Sequence, residues 1–260
     1  MDLAQYKMGV DVWQGSLDID EAVLKASGVD FIFVRMNNSY GQPLPDANFD
    51  NQWAQASGFK RGAYYVVSPN YSSATHAAYI LAHKPADLKV ISLDVELAGG
   101  TPATYSLLLN QLITLLKQAG LTVLIYSGGG YRSLVSPWPT DVDYWWAAYP
   151  YALYPANTTT LTWDALRAKL AALNWIGEIA PAHVCAWQCS GDRFILPGTA
   201  NRTMDINLMP LADFNRIWPV ETHQVFIPAV FNGYTQFSDA QRLAAIEMYL
   251  QPQGFKGPQV

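Results

Sequence analysis

Val90-Ile-Ser-Leu-Asp-Val-Glu-Leu97 is an apolar run with a polar side chain at every second position. Successive side chains of a strand face opposite ways, so Ile91, Leu93 and Val95 share one face and Ser92, Asp94 and Glu96 the other. Pro102–Ala119 follows, with Leu107, Leu108, Leu112, Leu115 and Leu116 at helical spacing, and it stops at Gly120. Leu121–Ser127 is again β-branched and apolar. Strand, helix and strand in that order predict a βαβ unit, whose two strands run parallel.

The same rhythm extends in both directions. Strand-like runs are predicted at Met8–Trp13, Phe31–Met36, Arg61–Ser68, Val142–Tyr149, Val184–Cys189 and Thr203–Met209, giving eight with the two above. Asp18 and Asp20 can cap a helix ending at Gly28, Asp46 opens a segment ending at Gly58, and Ser72–Lys84 stops at Pro85. Eight strands alternating with helices predict a parallel α/β fold, either a closed barrel or a doubly wound open sheet. The second half is less regular: Tyr149–Thr160 is a Tyr-, Pro- and Thr-rich loop, and only Trp163–Leu173 reads as helix there. Residues 1–220 are taken as the barrel and 221–260 as an extension with one amphipathic helix, Ser238–Leu250, expected to pack on the barrel.

At 260 residues and 50% apolar content the chain can bury a large core, and with 14% charged residues it does not resemble a disordered chain. No apolar run reaches the ~18 residues of a membrane span, so no membrane insertion is expected. The net charge of −5 argues against a nucleic-acid backbone binder. Cys185 and Cys189, four apart on a strand, would have Cα atoms about 13 Å apart, too far for a disulfide, and read as two free, mostly buried thiols. Met1–Lys7 has no apolar core of signal-peptide type.

Charged side chains are almost never buried unpaired, so acids on a core strand need a reason. Asp94 and Glu96 stand near the end of one predicted strand. Asp205 and Asn207 alternate with Met204, Ile206 and Leu208 on the last, and Asp11 lies between two valines on the first. Closing a barrel makes its first and last strands neighbours. Asp11 and Asp205 would then lie side by side, across from Asp94 and Glu96. Four converging acids suit either a divalent cation with oxygen ligands or glycoside hydrolysis, in which crowding keeps one carboxyl protonated. Aromatic residues at or near strand ends (Trp13, Tyr64, Tyr65, Tyr126, Trp145, Trp146, Tyr149 and Trp187) suit stacking on sugar faces, and no histidine joins the acids at a strand end. No metal or other cofactor is expected.

At these residues the sequence resembles glycoside hydrolase family 25, the Chalaropsis-type lysozymes, over about residues 8–215. The resemblance rests on Gly-Val-Asp-Val-Trp-Gln-Gly at 9–15, Phe31–Arg35 after Ala26-Ser-Gly-Val-Asp30, Arg61-Gly-Ala-Tyr-Tyr65, Leu93-Asp-Val-Glu96, Trp146-Ala-Ala-Tyr149, Trp187-Gln188 and Met204-Asp-Ile-Asn207, all in family order. It implies an irregular (β/α) TIM-like barrel with fewer helices in the second half. It also implies hydrolysis of the β-1,4 bond between N-acetylmuramic acid and N-acetylglucosamine. By the same resemblance Glu96 is the general acid, Asp94 stabilises or orients the attacking group, and Asp11 and Asp205 hold and tune that pair. Tyr64, Tyr126, Trp146, Tyr149, Trp187 and Asn207 are expected to bind substrate. The implied partner is the glycan strand of peptidoglycan, met at the cell wall by a monomer. With no leader visible, the leader has been removed or release follows another route, as for a phage endolysin.

Some positions depart from the family pattern. Arg35-Met-Asn-Asn-Ser39 lacks the Glu common after the second strand. Trp13-Gln14 and Val66-Val67 stand where His is frequent, and the stretch Tyr149–Leu173 is long. A catalytically silent sugar-binding module of a phage or wall-associated assembly is the second reading, against which the complete set of acids speaks. Gly128-Gly-Gly130 lacks the Lys and Ser/Thr of a phosphate loop and reads as a turn. His76 and His83, seven apart on a helix, are expected to face solvent or a neighbouring helix.

Overall fold

The computed structural model describes residues 2–16, 18–150, 168–171, 180–198 and 203–219. The predicted helix Ser238–Leu250 and most of the loop after Tyr149 lie outside the described residues. Eight strands close a barrel in sequence order: β1 Tyr6–Val12, β2 Phe31–Arg35, β3 Lys60–Val66, β4 Val90–Asp94, β5 Thr122–Gly128, β6 Asp143–Ala147, β7 Val184–Ile195 and β8 Thr203–Pro210. Four helices occupy the early crossovers, α1 Glu21–Ala26, α2 Phe49–Gln55, α3 Ser73–His83 and α4 Pro102–Gln118, and α5 Leu211–Ile217 follows the last strand. The closed barrel replaces the open-sheet alternative.

Local chemistry explains the helix ends. Asp20 accepts a hydrogen bond from the Val23 amide at the start of α1, and Gly28 takes the left-handed conformation (φ +87°) just after it ends. Thr101 and Thr104 form a reciprocal cap on α4, with Pro102 on its first turn. Asp46 does not cap a helix; its carboxylate is committed to Arg35 and to nearby backbone amides.

The barrel is mixed rather than wholly parallel. Strands β1 to β7 run parallel, and β8 is antiparallel to both neighbours. The reason is chain length: only Leu196–Arg202 separate β7 from β8, whereas a parallel crossover takes a dozen residues or more.

The two faces of each strand sort as the alternation predicts. Val10, Val12, Ile91, Leu93, Val95, Met204, Ile206 and Leu208 pack outside the sheet under the helices. The lower interior is filled by Phe31, Phe33, Val90, Leu124, Trp145 and Met209, and Trp218 and Phe214 pack against Phe31 from below. Gly9 and Gly62 make room for this filling. A Cβ on Gly9 would stand 2.2 Å from the Phe31 ring, and one on Gly62 2.5 Å from the Phe33 ring. Polarity rises toward the other end: Phe31, Phe33, Arg35 on β2 and Val90, Ser92, Asp94 on β4. On the reversed β8 the order is inverted, Asp205, Asn207, Met209.

Cys185 and Cys189 are free and buried, as expected. His76 instead turns inward, its ring nitrogens 3.0 Å from Tyr65 Oη and 2.9 Å from the Ser68 carbonyl, where α3 packs on β3. Among the described residues no helix is long and apolar enough to cross a membrane.

Candidate functional site

Asp11 near the end of β1 is directly paired in register with Asp205 on β8. Asp94 ends β4, and Glu96 stands two residues further, past the strand. All four acids line one cavity of about 270 Å³ in the polar mouth of the barrel, together with Trp13, Arg35, Tyr64, Tyr126, Trp145 and Gln188. A second cavity, about 400 Å³, is walled by Gly128–Gly130, Tyr131, Ala147, Tyr149 and Gly191. Glu96, Tyr126 and Asp205 line both. The two cavities therefore meet at these residues, with Glu96 facing each.

Two buried amides hold Asp11. The Gln188 Oε1 accepts from Tyr126 Oη at 2.7 Å and Tyr149 Oη at 2.5 Å, so its Nε2 must point the other way. That nitrogen donates to both Asp11 oxygens, at 3.1 and 3.3 Å, and to Asp205 Oδ2 at 3.4 Å. Asn207 is set likewise: its Oδ1 accepts from Trp145 Nε1 at 2.7 Å, and its Nδ2 donates to Asp11 Oδ1 at 2.7 Å. Phenol and indole donors thus fix two amides, and the amides present N–H groups to a carboxylate. Gln188→Leu removes one hydrogen-bond partner each from Tyr126, Tyr149 and Asp11, the last of which keeps Asn207, at about 1 kcal/mol or more per bond lost. The expected result is a loss of at least about 3 kcal/mol in urea-unfolding free energy.

The pair Asp94 and Glu96 is under the opposite pressure. Burial, then the Glu96 charge, pushes the Asp94 carboxyl well above its usual range, Arg35 pulls it down, and Asp11 adds a smaller upward push. Asp94 Oδ1 is buried with no hydrogen-bond partner among the described residues. Glu96 is pushed up to about 7, by burial first and the Asp11 charge second. Two such carboxyls titrate as a unit and retain a shared proton near neutral pH. Asp94 reaches only the inner cavity, whereas Glu96 faces both, so Glu96 is the member placed to deliver that proton to a bound molecule.

Of the residues expected to contact sugar, Tyr64 and Tyr126 line the inner cavity, Tyr149 the second, and Asn207 stands behind Asp11. Trp146 and Trp187 do not line either cavity. Trp146, 1% exposed, packs outside the sheet against Trp138 and Tyr144. Trp187 belongs to the same outer layer and donates its Nε1 to the Ala148 carbonyl at 2.6 Å. Their neighbours in sequence, Trp145 and Gln188, point inward instead, since one step along a strand reverses the face. Gln188, Arg35 and the Gly128–Gly130 wall were not among the expected site residues. For Arg35 a signal existed: it continues the inward row of Phe31 and Phe33.

The profile described as glycosyl hydrolases family 25 matches residues 8–168. No curated protein sequence matches the chain. Among solved structures, a family 25 glycosyl hydrolase from Bacillus anthracis superposes with a TM-score of 0.61 at 19% identity, covering 80% of this chain and 90% of that one. The bacterial lysozyme of Streptomyces coelicolor gives 0.60 at 17%, covering 81% and 98%. The modular Cpl-1 endolysin, solved with a peptidoglycan analogue, gives 0.55 at 15%, covering 80% and 55%. At these identities the likeness to the solved structures is one of fold.

Proposed function

The chain belongs to glycosyl hydrolase family 25 and is a glycosidase, and from that premise we propose that it cleaves the β-1,4 bond between N-acetylmuramic acid and N-acetylglucosamine in peptidoglycan. The observation that carries this reading is Glu96, held near a pKa of 7 at the junction of two cavities beside Asp94 and Asp11. A glycan laid across the junction puts one sugar in each cavity and the bond between them against Glu96. Glu96 gives its proton to the glycosidic oxygen as the bond to the anomeric carbon breaks. Asp94, as a carboxylate, faces the positive charge that develops on the sugar ring; water then adds to the anomeric carbon, its oxygen forming the new C1 hydroxyl and its released proton returning to Glu96. Asp11 and Asp205, clamped by Gln188 and Asn207, keep the mouth negative.

The neighbour solved with a peptidoglycan analogue supports a glycan strand as partner and the cell wall as the place of action. The four acids at one mouth argue against a silent binding module. Digestion of purified peptidoglycan and chitin side by side, with the new reducing ends read by mass spectrometry, tests the reading. Muramic acid at the new reducing ends is expected. Reducing-end N-acetylglucosamine alone, or cleavage of chitin in preference, would overturn the assignment of the bond.

A further inference from the structure

Arg35 is the one cation lining the two cavities, among the described residues. It is 8% exposed. Its Nε donates to Asp46 Oδ2 at 2.8 Å, and that buried carboxylate is itself held by the Gln14 and Asn48 amides. Its guanidinium lies over the Trp13 indole, 4.8 Å from the ring centroid. One edge and one face of the group are thereby fixed. The Nη edge has no hydrogen-bond partner among the described residues, and no site carboxylate comes within ion-pair distance. Arg35 lines the inner cavity, so a guanidinium held rigidly on one edge and one face keeps its outer donors available there to a ligand that supplies acceptors. Such a planar fork matches a carboxylate, and less strongly an amide carbonyl.

The two sugars of the proposed substrate carry the same 2-acetamido group. They differ at C3, where the muramic residue bears a lactyl ether ending in a carbonyl carbon. That carbon is a free carboxylate, or an amide where a stem peptide is attached. We infer that the Nη edge of Arg35 receives the lactyl carbonyl oxygen, so that Arg35 is the residue by which this site distinguishes muramic acid from N-acetylglucosamine. The inference rests on the peptidoglycan reading and deepens it.

The test is equilibrium binding to the Glu96→Gln protein, which holds ligand without turnover. Three tetrasaccharides serve as probes: alternating N-acetylglucosamine–N-acetylmuramic acid with free lactyl carboxylates, the same with lactyl amides, and tetra-N-acetylchitotetraose. The carboxylate form is expected to bind at least about tenfold tighter than chitotetraose, with the amide between them. Adding Arg35→Gln is expected to bring all three within about twofold of one another by weakening the lactyl ligands alone. Arg35→Lys, which keeps the charge beside Asp46, is expected to keep part of the preference for carboxylate and none for amide. Equal weakening of all three ligands by Arg35→Gln overturns the inference and leaves the peptidoglycan reading standing. So does a Glu96→Gln protein that does not favour the lactyl ligands, a result that needs no substitution at Arg35. Failure of that protein to bind any of the three overturns the peptidoglycan reading, and the inference with it.

Discussion

Glu96→Gln is expected to lower turnover of peptidoglycan by about a thousandfold while leaving affinity for the glycan within a few-fold, the range lost when a positioned general acid is removed. Gln keeps the size and hydrogen-bonding reach of Glu but has no proton to give. The measurement is release of reducing ends from purified walls set beside binding to the same walls. A variant that still clears walls would mean that another carboxyl is the acid, and Asp94, which shares the proton, is then the one to examine.

The same substitution should act on stability with the opposite sign. Glu96 has an ordinary value of 4.5 and is raised to about 7 in the folded chain. A carboxyl raised on folding contributes stability that is complete below about 4.5 and lost as the pH rises through about 7. At pH 8 the wild type therefore bears a burden of at most on the order of 3 kcal/mol that Gln does not carry. Glu96→Gln is expected to unfold at higher denaturant than wild type at pH 8, and at the same denaturant near pH 4. An active site that gains stability when its acid is neutralised is one where burial has been set against the fold.

Much of this site is legible in the sequence, because it depends on period-two alternation, which a strand cannot evade. Ser92, Asp94, Asp205 and Asn207 had to share the face opposite Leu93 and Ile206. β8 runs antiparallel to its neighbours where the rhythm predicts a parallel strand, although the sequence carries the reversal. Asp205 opens its strand, whereas Asp11 and Asp94 lie toward the ends of theirs. In a wholly parallel barrel Asp205 would sit at the apolar floor. Only a reversed strand brings it level with Asp11, and the short β7–β8 connection enforces that reversal. The confusion of Trp146 with Trp145 has another cause. Two adjacent tryptophans satisfy either face, and the choice between them is made by register with Tyr126 and by the Asn207 carbonyl that takes the Trp145 indole. Gln188 was quoted only as part of a motif, since nothing in an isolated Trp-Gln pair says that two phenols and two carboxylates will converge on the amide.

Activity should fall about tenfold per pH unit above a break near 7, the behaviour of a reaction that needs its acid protonated, with kcat/KM on soluble glycan oligomers as the readout. The sign follows from the causes. Below the break Glu96 holds its proton and can donate it; above it the proton is gone while every binding contact remains. Asp11→Asn removes the second of the two causes that raise Glu96, the neighbouring negative charge, and leaves the first, burial. The alkaline break is therefore expected to move to lower pH in Asp11→Asn, yet to stay above the 4.5 of an ordinary Glu. At pH 7.5 the variant should be well below wild type, and lowering the pH should recover part of the difference. An alkaline break that does not move in Asp11→Asn would mean that burial alone sets the acid. Asp11 would then act by holding Gln188 and Asn207 in place rather than by its charge, and its loss would be equally severe at every pH.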